Sequence, residues 1–182
     1  MFVPFVFTLE VASDYDHILP FYKYLDMAIA YGWPIIAHER YFSSLDDMAK
    51  LGIDEDWFAV FGKQWEFAHP KQNDIDAASK YIIPQAFETE FIAGFSSQID
   101  AWIFLLTNNY EPFETLTIGF FEDIEKQFHE PIEGILCFYV PLFLKRAAEI
   151  KGIPILSQQG GAIRPPFYKE VLFHVDKKNY YS

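Results

Sequence analysis

The sequence predicts an α/β fold, a three-layer sandwich in which helices cover both faces of a mainly parallel sheet, with an inserted pair of long helices. Three observations predict it. First, residues 134–157 read GILCFYV, then PLFLKRAAEIKG, then IPILS: an apolar strand, a helix opened by Pro141 and closed by Gly152, and a second apolar strand. Such a βαβ unit requires parallel strands joined by a right-handed crossover. Second, Phe2–Leu9 is apolar almost throughout instead of alternating, as a strand covered on both faces must be. Third, the middle of the chain carries apolar residues at three- and four-residue spacing, the period of amphipathic helices.

Taken in order, the first strand runs to Leu9 and delivers Glu10, followed by the polar turn ASDYD. From Ile18 onward Phe21, Tyr22, Leu25 and Ile29 recur at helical spacing, and Gly32 and Pro34 supply the stop. Pro34–Ala37 is a short second strand carrying His38, Glu39 and Arg40 at its carboxyl end. Ser44, Asp46 and Asp47 look like a helix start, a capping hydroxyl followed by early negative charge, and Gly52 closes that helix. Between Asp54 and Asn73 the aromatic residues Trp57, Phe58, Phe61, Trp65 and Phe67 suit a strand, a hairpin or an aromatic flap equally. Phe91, Ile92, Phe95, Ile99, Trp102, Ile103 and Leu106 share one face of a long helix broken at Asn108-Asn109. Phe113, Phe120, Phe121, Ile124 and Phe128 mark a second, with Glu122, Asp123, Glu125 and Lys126 outward. VLFHV (171–175) adds a last strand. No repeat or interdomain linker interrupts the pattern, so residues 1–182 read as one domain.

Composition removes several function classes. A formal net charge of −12 repels polyphosphates, and nucleic-acid binding depends on the opposite charge balance. The same field leaves at most a peripheral membrane contact, and the longest apolar run, GILCFYVPLFL, is shorter than the roughly 20 residues of a membrane-spanning helix. The N-terminal run has neither a basic segment nor a small-residue cleavage site, so it reads as a strand and the chain as cytoplasmic, at most touching the inner face of a membrane. Cys137, the single cysteine, lies inside an apolar strand and reads as a small buried hydrophobe. Aromatic residues make up 19% of the chain, enough to thicken the core and leave some rings for a ligand or partner.

In an open parallel sheet, ligands bind outside the carboxyl ends of the strands. Those ends hold Glu10, Ser13 and Asp14; His38, Glu39 and Arg40; Tyr139; and Ser157, Gln158 and Gln159. Gly160-Gly161 is not a dinucleotide fingerprint, because Pro165-Pro166 occupies the place where a helix should open, and no G-x-x-x-x-G-K-[ST] occurs. The two glycines allow a tight turn, and the prolines stiffen the approach to the last strand. Arg164 on that stiff loop is suited to fork onto a carboxylate or phosphate, or to staple the loop to Glu39 or a neighbouring acid. The acids Glu10, Asp14 and Glu39, and His38, are candidate general bases for a hydroxyl proton. Alternatively, His38 and Glu39 form a solvated strand end paired with Arg40. None of the His-Glu pairs has H-E-x-x-H spacing, so local motifs lead to the expectation of no metal ligands, and G-x-S-x-G is absent.

The run from Ile132 to Asp176, about a quarter of the chain, resembles the late part of the N-terminal domain of GT-B glycosyltransferases of bacterial capsule and lipopolysaccharide synthesis. There a strand, a helix and a "gIP"-type strand lead into a glycine loop with arginine and proline, then an F-x-x-D-like strand. Gly152-Ile153-Pro154, Gly161, Arg164, Pro166, Phe173 and Asp176 match that order. The resemblance implies a Rossmann-like domain that binds a carbohydrate acceptor, inactive alone, as the N-terminal half of a larger two-domain enzyme. The domain itself needs no cofactor on this reading, and the nucleotide-sugar donor belongs to a second domain of roughly 100–200 residues. The candidate acceptor-binding residues are Arg40, Tyr139, Gln158, Gln159, Gly161 and Arg164. Two other readings stand beside it: a non-catalytic binding or assembly module, forming a homo-oligomer through Trp57–Phe67, and a small metal-dependent hydrolase using His38, Glu39 and another histidine.

Overall fold

The computed structural model of the chain describes residues 1–7, 9, 24, 25, 27–51, 71–160 and 173–176, with backbone alone at 47–51, 158–160 and 173–176. Its frame is a sheet of six strands, β1 (Phe2–Val6), β2 (Ile35–His38), β3 (Lys80–Ile83), β4 (Gly134–Cys137), β5 (Ile155–Gly160) and β6 (Phe173–Asp176). The strands lie in the order β3-β2-β1-β4-β5-β6. The first five are all parallel, with Phe5 opposite both Ile36 and Cys137, and β6 pairs antiparallel with β5. This is the strand order of Rossmann-type sheets, and the fold is Rossmann-like.

Side-chain alternation along the strands builds the two flanking layers. Val3, Phe5 and Phe7 from β1 and its end, Ile36 from β2, and Ile135 and Cys137 from β4 all enter one core. The intervening Val6, Ile35 and Ala37 enter the other. The first core is covered by α4 (Gln85–Ile92), α5 (Gln98–Thr107), α6 (Glu111–Phe128) and α7 (Leu142–Lys151), which contribute Phe91, Leu105, Phe113, Phe121 and Phe143. The second is covered by α1, described at 24, 25 and 27–31, by α2 (Glu39–Leu51) and by α3 (Gln72–Ala77). Because β1 and β2 are buried on both faces, Phe2–Val6 and Ile35–Ala37 are apolar without interruption.

The βαβ unit predicted at 134–157 is present: β4, then α7 opened by Pro141 and closed by Gly152, then β5. Gly152 adopts φ 68°, where a Cβ is strained, and its N–H donates to the carbonyls of Ala148 and Glu149. Gly134 answers a different need, since a Cβ there would come within 2.9 Å of the Phe2 ring in the neighbouring strand. The expected stop at Gly32 is also met, with φ 67° and the Trp33 N–H bonded to the Ala28 carbonyl at 2.8 Å.

Four elements differ from the sequence expectation. The long helix expected over Phe91–Leu106 is two helices, α4 and α5, separated at residues 93–97. Ser97 ends the continuity: its hydroxyl oxygen accepts the Asp100 N–H at 3.1 Å and its hydroxyl donates to the Asp100 carboxylate at 2.8 Å, which starts a new helix. Three helices, α4, α5 and α6, therefore fill the crossover between β3 and β4 where a pair was expected. α2 begins at Glu39 rather than Ser44, because β2 runs into it directly and His38 caps it. β3 (KYII) has no counterpart in the sequence reading; four residues between a short helix and Pro84 are too few for periodicity to register. Finally, Gln158, Gln159 and Gly160 belong to β5 rather than to a loop, held there by pairing with Val175, His174 and Phe173 of β6.

Candidate functional site at the carboxyl edge of the sheet

The chain leaves β1 towards β2 and β3 on one side, and β4 and β5 lie on the other, so the topological switch point falls between β1 and β4. A crevice outside those two strand ends is where such sheets take their ligands. Phe7, just past β1, lies in the core beneath that edge. The Phe7 ring is buried, packed edge-on to Phe113 at 5.4 Å and Phe143 at 5.3 Å, with Trp102 and His38 each 6.2 Å away. Tyr139, just past β4, meets Trp102 edge-on at 5.6 Å, and both of these rings are half-buried. The edge of the switch point is thus aromatic, with apolar faces and two polar tips, the indole N–H and the phenol O–H.

Beside it, the ends of β2 and β3 are stitched together by charge. His38 is buried, and its Nδ1 accepts the Tyr41 backbone N–H at 3.1 Å, an N-cap bond that requires the neutral imidazole. Burial, and secondarily the Arg40 charge, pull its pKa down to about 3. Glu39 reaches across to β3, where its Oε2 accepts the Gln85 N–H at 2.8 Å, in the first turn of α4, whose positive dipole end favours a carboxylate. Arg40 Nη2 meets Glu88 Oε2 at 2.9 Å, with the arginine side chain 29% exposed and the glutamate 3%. The other oxygen, Glu88 Oε1, is buried with no hydrogen-bond partner among the described residues. Burial pushes the Glu88 carboxyl up to about 7, against the opposing pull of Arg40 and with help from Glu39. A carboxyl of that kind is half protonated near neutrality and can either accept or donate a proton.

The sequence-predicted residues divide accordingly. His38, Glu39 and Arg40 come together at one strand edge, and Tyr139 stands across the switch point from them, beside Trp102. Gln158 and Gln159 sit in the β5–β6 ladder. Glu10, Asp14, Gly161 and Arg164 lie outside the described residues, as does the aromatic run at 57–67. Phe7, Glu88 and Trp102 are absent from the sequence-predicted set. Glu88 does carry a local signal: it lies three residues before buried Phe91 on α4, so helical spacing puts an acid on an apolar face. Trp102 reads as core from its stripe alone, and only the tertiary fold brings it to Tyr139.

No family model and no curated protein matches this chain. Among the described residues, no three His, Cys, Asp or Glu side chains gather as a metal site would require. His129 ends α6 in the left-handed conformation, φ 56°. Cys137 is fully buried and its thiol is pushed up by desolvation, which makes it an inert packing group. Among the described residues no helix is long and apolar enough to cross a membrane.

Proposed function

We propose that this chain is the acceptor-binding side of a glycosyltransferase of surface-polysaccharide synthesis, with the acceptor sugar held at the β1–β4 switch point. The observation that carries the proposal is the edge-on pair of half-buried rings there, Trp102 and Tyr139, with the Arg40–Glu88 pair at the end of β2 on the same edge of the sheet. Sugar rings present C–H faces that pack on aromatic rings, and hydroxyls that need nearby charged or amide partners. An arginine on the same edge of the sheet suits an acidic sugar or a phosphate-linked acceptor. The Rossmann-like sheet and the resemblance of residues 132–176 to the N-terminal domain of GT-B enzymes support the same reading. On it, Glu39 or Glu88 is the candidate to take the acceptor proton, and the nucleotide-sugar donor is bound by a second domain.

The test is direct binding, since transfer is not expected of this domain alone. A panel of neutral and acidic pyranosides is titrated while tryptophan emission and amide chemical shifts are followed. Saturable binding that weakens at least tenfold in Tyr139→Ala and in Arg40→Ala, with circular dichroism unchanged, supports the site. The absence of saturable binding by any member of the panel, or unchanged affinity in both variants, overturns it.

A further inference from the structure

The Arg40–Glu88 pair joins a group that reaches solvent to one that does not. The Arg40 side chain is 29% exposed and the Glu88 side chain 3%, with Nη2 and Oε2 at 2.9 Å. Glu88 Oε1 is buried with no hydrogen-bond partner among the described residues, so the carboxylate is held through one of its two oxygens. Two charges act on it, both from α2: Arg40 favours the ionised form, and Glu39, which accepts the Gln85 N–H at 2.8 Å, opposes it. His38, at the end of β2, is buried and neutral. The elements packed on α4 from the other side bring rings. Phe104 of α5, and Tyr110 and Phe113 at the start of α6, lie against Phe91, and Phe113 also meets Phe87. Glu111 of α6 borders Phe87 across an open surface groove.

We infer that Arg40 and Glu88 form a proton-coupled oxyanion site, in which an anion docking on the Arg40 guanidinium is bound together with one proton taken up by Glu88. Burial forces the coupling. The anion takes over, or shares, the cation that holds Glu88, and a carboxylate left buried without that partner is far costlier than the neutral acid. A proton therefore passes from water to the Glu88 carboxyl as the anion arrives, and no bond within the anion changes. Burial, against the pull of Arg40, raises this carboxyl to about 7 from its ordinary 4.5, which sets the exchange in the neutral range. Linkage gives the converse: above that range ionised Glu88 keeps the guanidinium and competes with the anion. On a chain of net charge −12, a proton bound with each anion also offsets one charge of a ligand that the protein's field repels. The ligand class is a carboxylate, sulfate or phosphate ester, whose oxygens match the guanidinium fork. This inference deepens the proposed function and rests on its placing of an anionic group at Arg40.

Sulfate, which does not itself titrate near neutrality, is the probe, added at constant ionic strength while amide chemical shifts are followed from about pH 5.5 to about pH 8.5. Wild-type affinity is expected to weaken about tenfold per pH unit above the Glu88 midpoint, the slope of one proton per anion. Glu88→Gln, a neutral isostere, is expected to lose that slope and to bind at least tenfold more tightly than wild type at the alkaline end, a gain that a merely structural role does not produce. A second measurement needs no variant: the Glu88 midpoint in wild type, followed by side-chain carbon NMR, rises when sulfate saturates. The inference is overturned by an absence of saturable sulfate binding at the acidic end, by the wild-type slope persisting in Glu88→Gln, or by a Glu88 midpoint that saturating sulfate leaves unmoved. Methyl glucuronide separates this result from the sugar reading. Binding at least tenfold tighter than sulfate, with the same slope, supports both; a slope for sulfate with no preference for the glucuronide keeps the proton coupling and counts against the sugar.

Discussion

His38 and Glu88 titrate in opposite senses, and their signs make the charged edge of the sheet measurable. The folded His38 pKa, about 3, lies below its ordinary value of 6.5, so this residue withdraws stability as pH falls from 6.5 towards 3. The folded Glu88 pKa, about 7, lies above its ordinary 4.5, so this residue withdraws stability as pH rises from 4.5 to 7. Over 4.5–6.5 the two slopes oppose, each on the order of 1 kcal/mol per pH unit. In Glu88→Gln the histidine slope is expected alone, with urea midpoints falling as the solution is acidified below 6.5. In His38→Asn, which keeps a capping side chain without a titrating ring, midpoints are expected to fall as pH rises from 4.5 to 7. Comparing each variant with wild type at each pH cancels the titration of the surface acids and of the group left in place, so the difference reads the replaced one: Glu88→Gln gains on wild type as pH rises from 4.5 to 7, and His38→Asn gains as pH falls below 6.5. A flat difference between Glu88→Gln and wild type would show that the carboxyl titrates in the fold as it does in the unfolded chain. His38, Glu39 and Arg40 are visible in the sequence as a charged cluster closing an apolar strand. Their pairing with Gln85 and Glu88 is not, because contacts across 46 or 48 residues leave no mark in local pattern.

At the scale of elements, the long middle helix shows how periodicity misleads. Phe91, Phe95, Ile99 and Trp102 keep helical spacing in the sequence across a real break, yet Phe91 is buried in the core while Ile99 stands exposed, so the spacing does not mark one face. The decision belongs to one hydroxyl. Ser97→Ala is expected to lower stability by about 1 kcal/mol, through loss of the cap on Asp100, and to speed hydrogen exchange in the first turn of α5. Exchange unchanged there would mean the flanking packing sets the boundary instead. The C-terminus of α7 offers a backbone counterpart. Gly152→Ala forces a Cβ into φ 68° and should cost on the order of 1 kcal/mol, read as a lower urea midpoint. Gly152 is legible because a helix end needs a local conformation, and glycine announces it. The extension of β5 through Gln158 and Gln159 is not, because the strand there exists by virtue of β6, which begins only at Phe173.

On the scale of the molecule, the aromatic residues tie the layers to the sheet. Phe113 on α6 is fully buried, and its ring touches those of Phe7, Phe87, Phe91, Tyr110 and Phe143, so one side chain links the end of β1 with α4, α6 and α7. Phe113→Ala is expected to cost about 3–5 kcal/mol and to lower the denaturation midpoints of near-ultraviolet and far-ultraviolet signals together. Separate transitions for the two signals would show that the helical layer melts by itself. The sequence by itself determined the α/β class, the both-face burial of β1 and β2, the βαβ unit with its proline and glycine boundaries, and the charged residues at the end of β2. Each of these is set by local backbone geometry or by how apolar a short run must be, and both can be read along the chain. Only the tertiary structure decided the strand order, the sixth strand's direction, the meeting of Trp102 with Tyr139, and the burial of Glu88 against Arg40. Those depend on which distant segments exclude water from one another, a property of pairs in space that no single stretch of sequence carries.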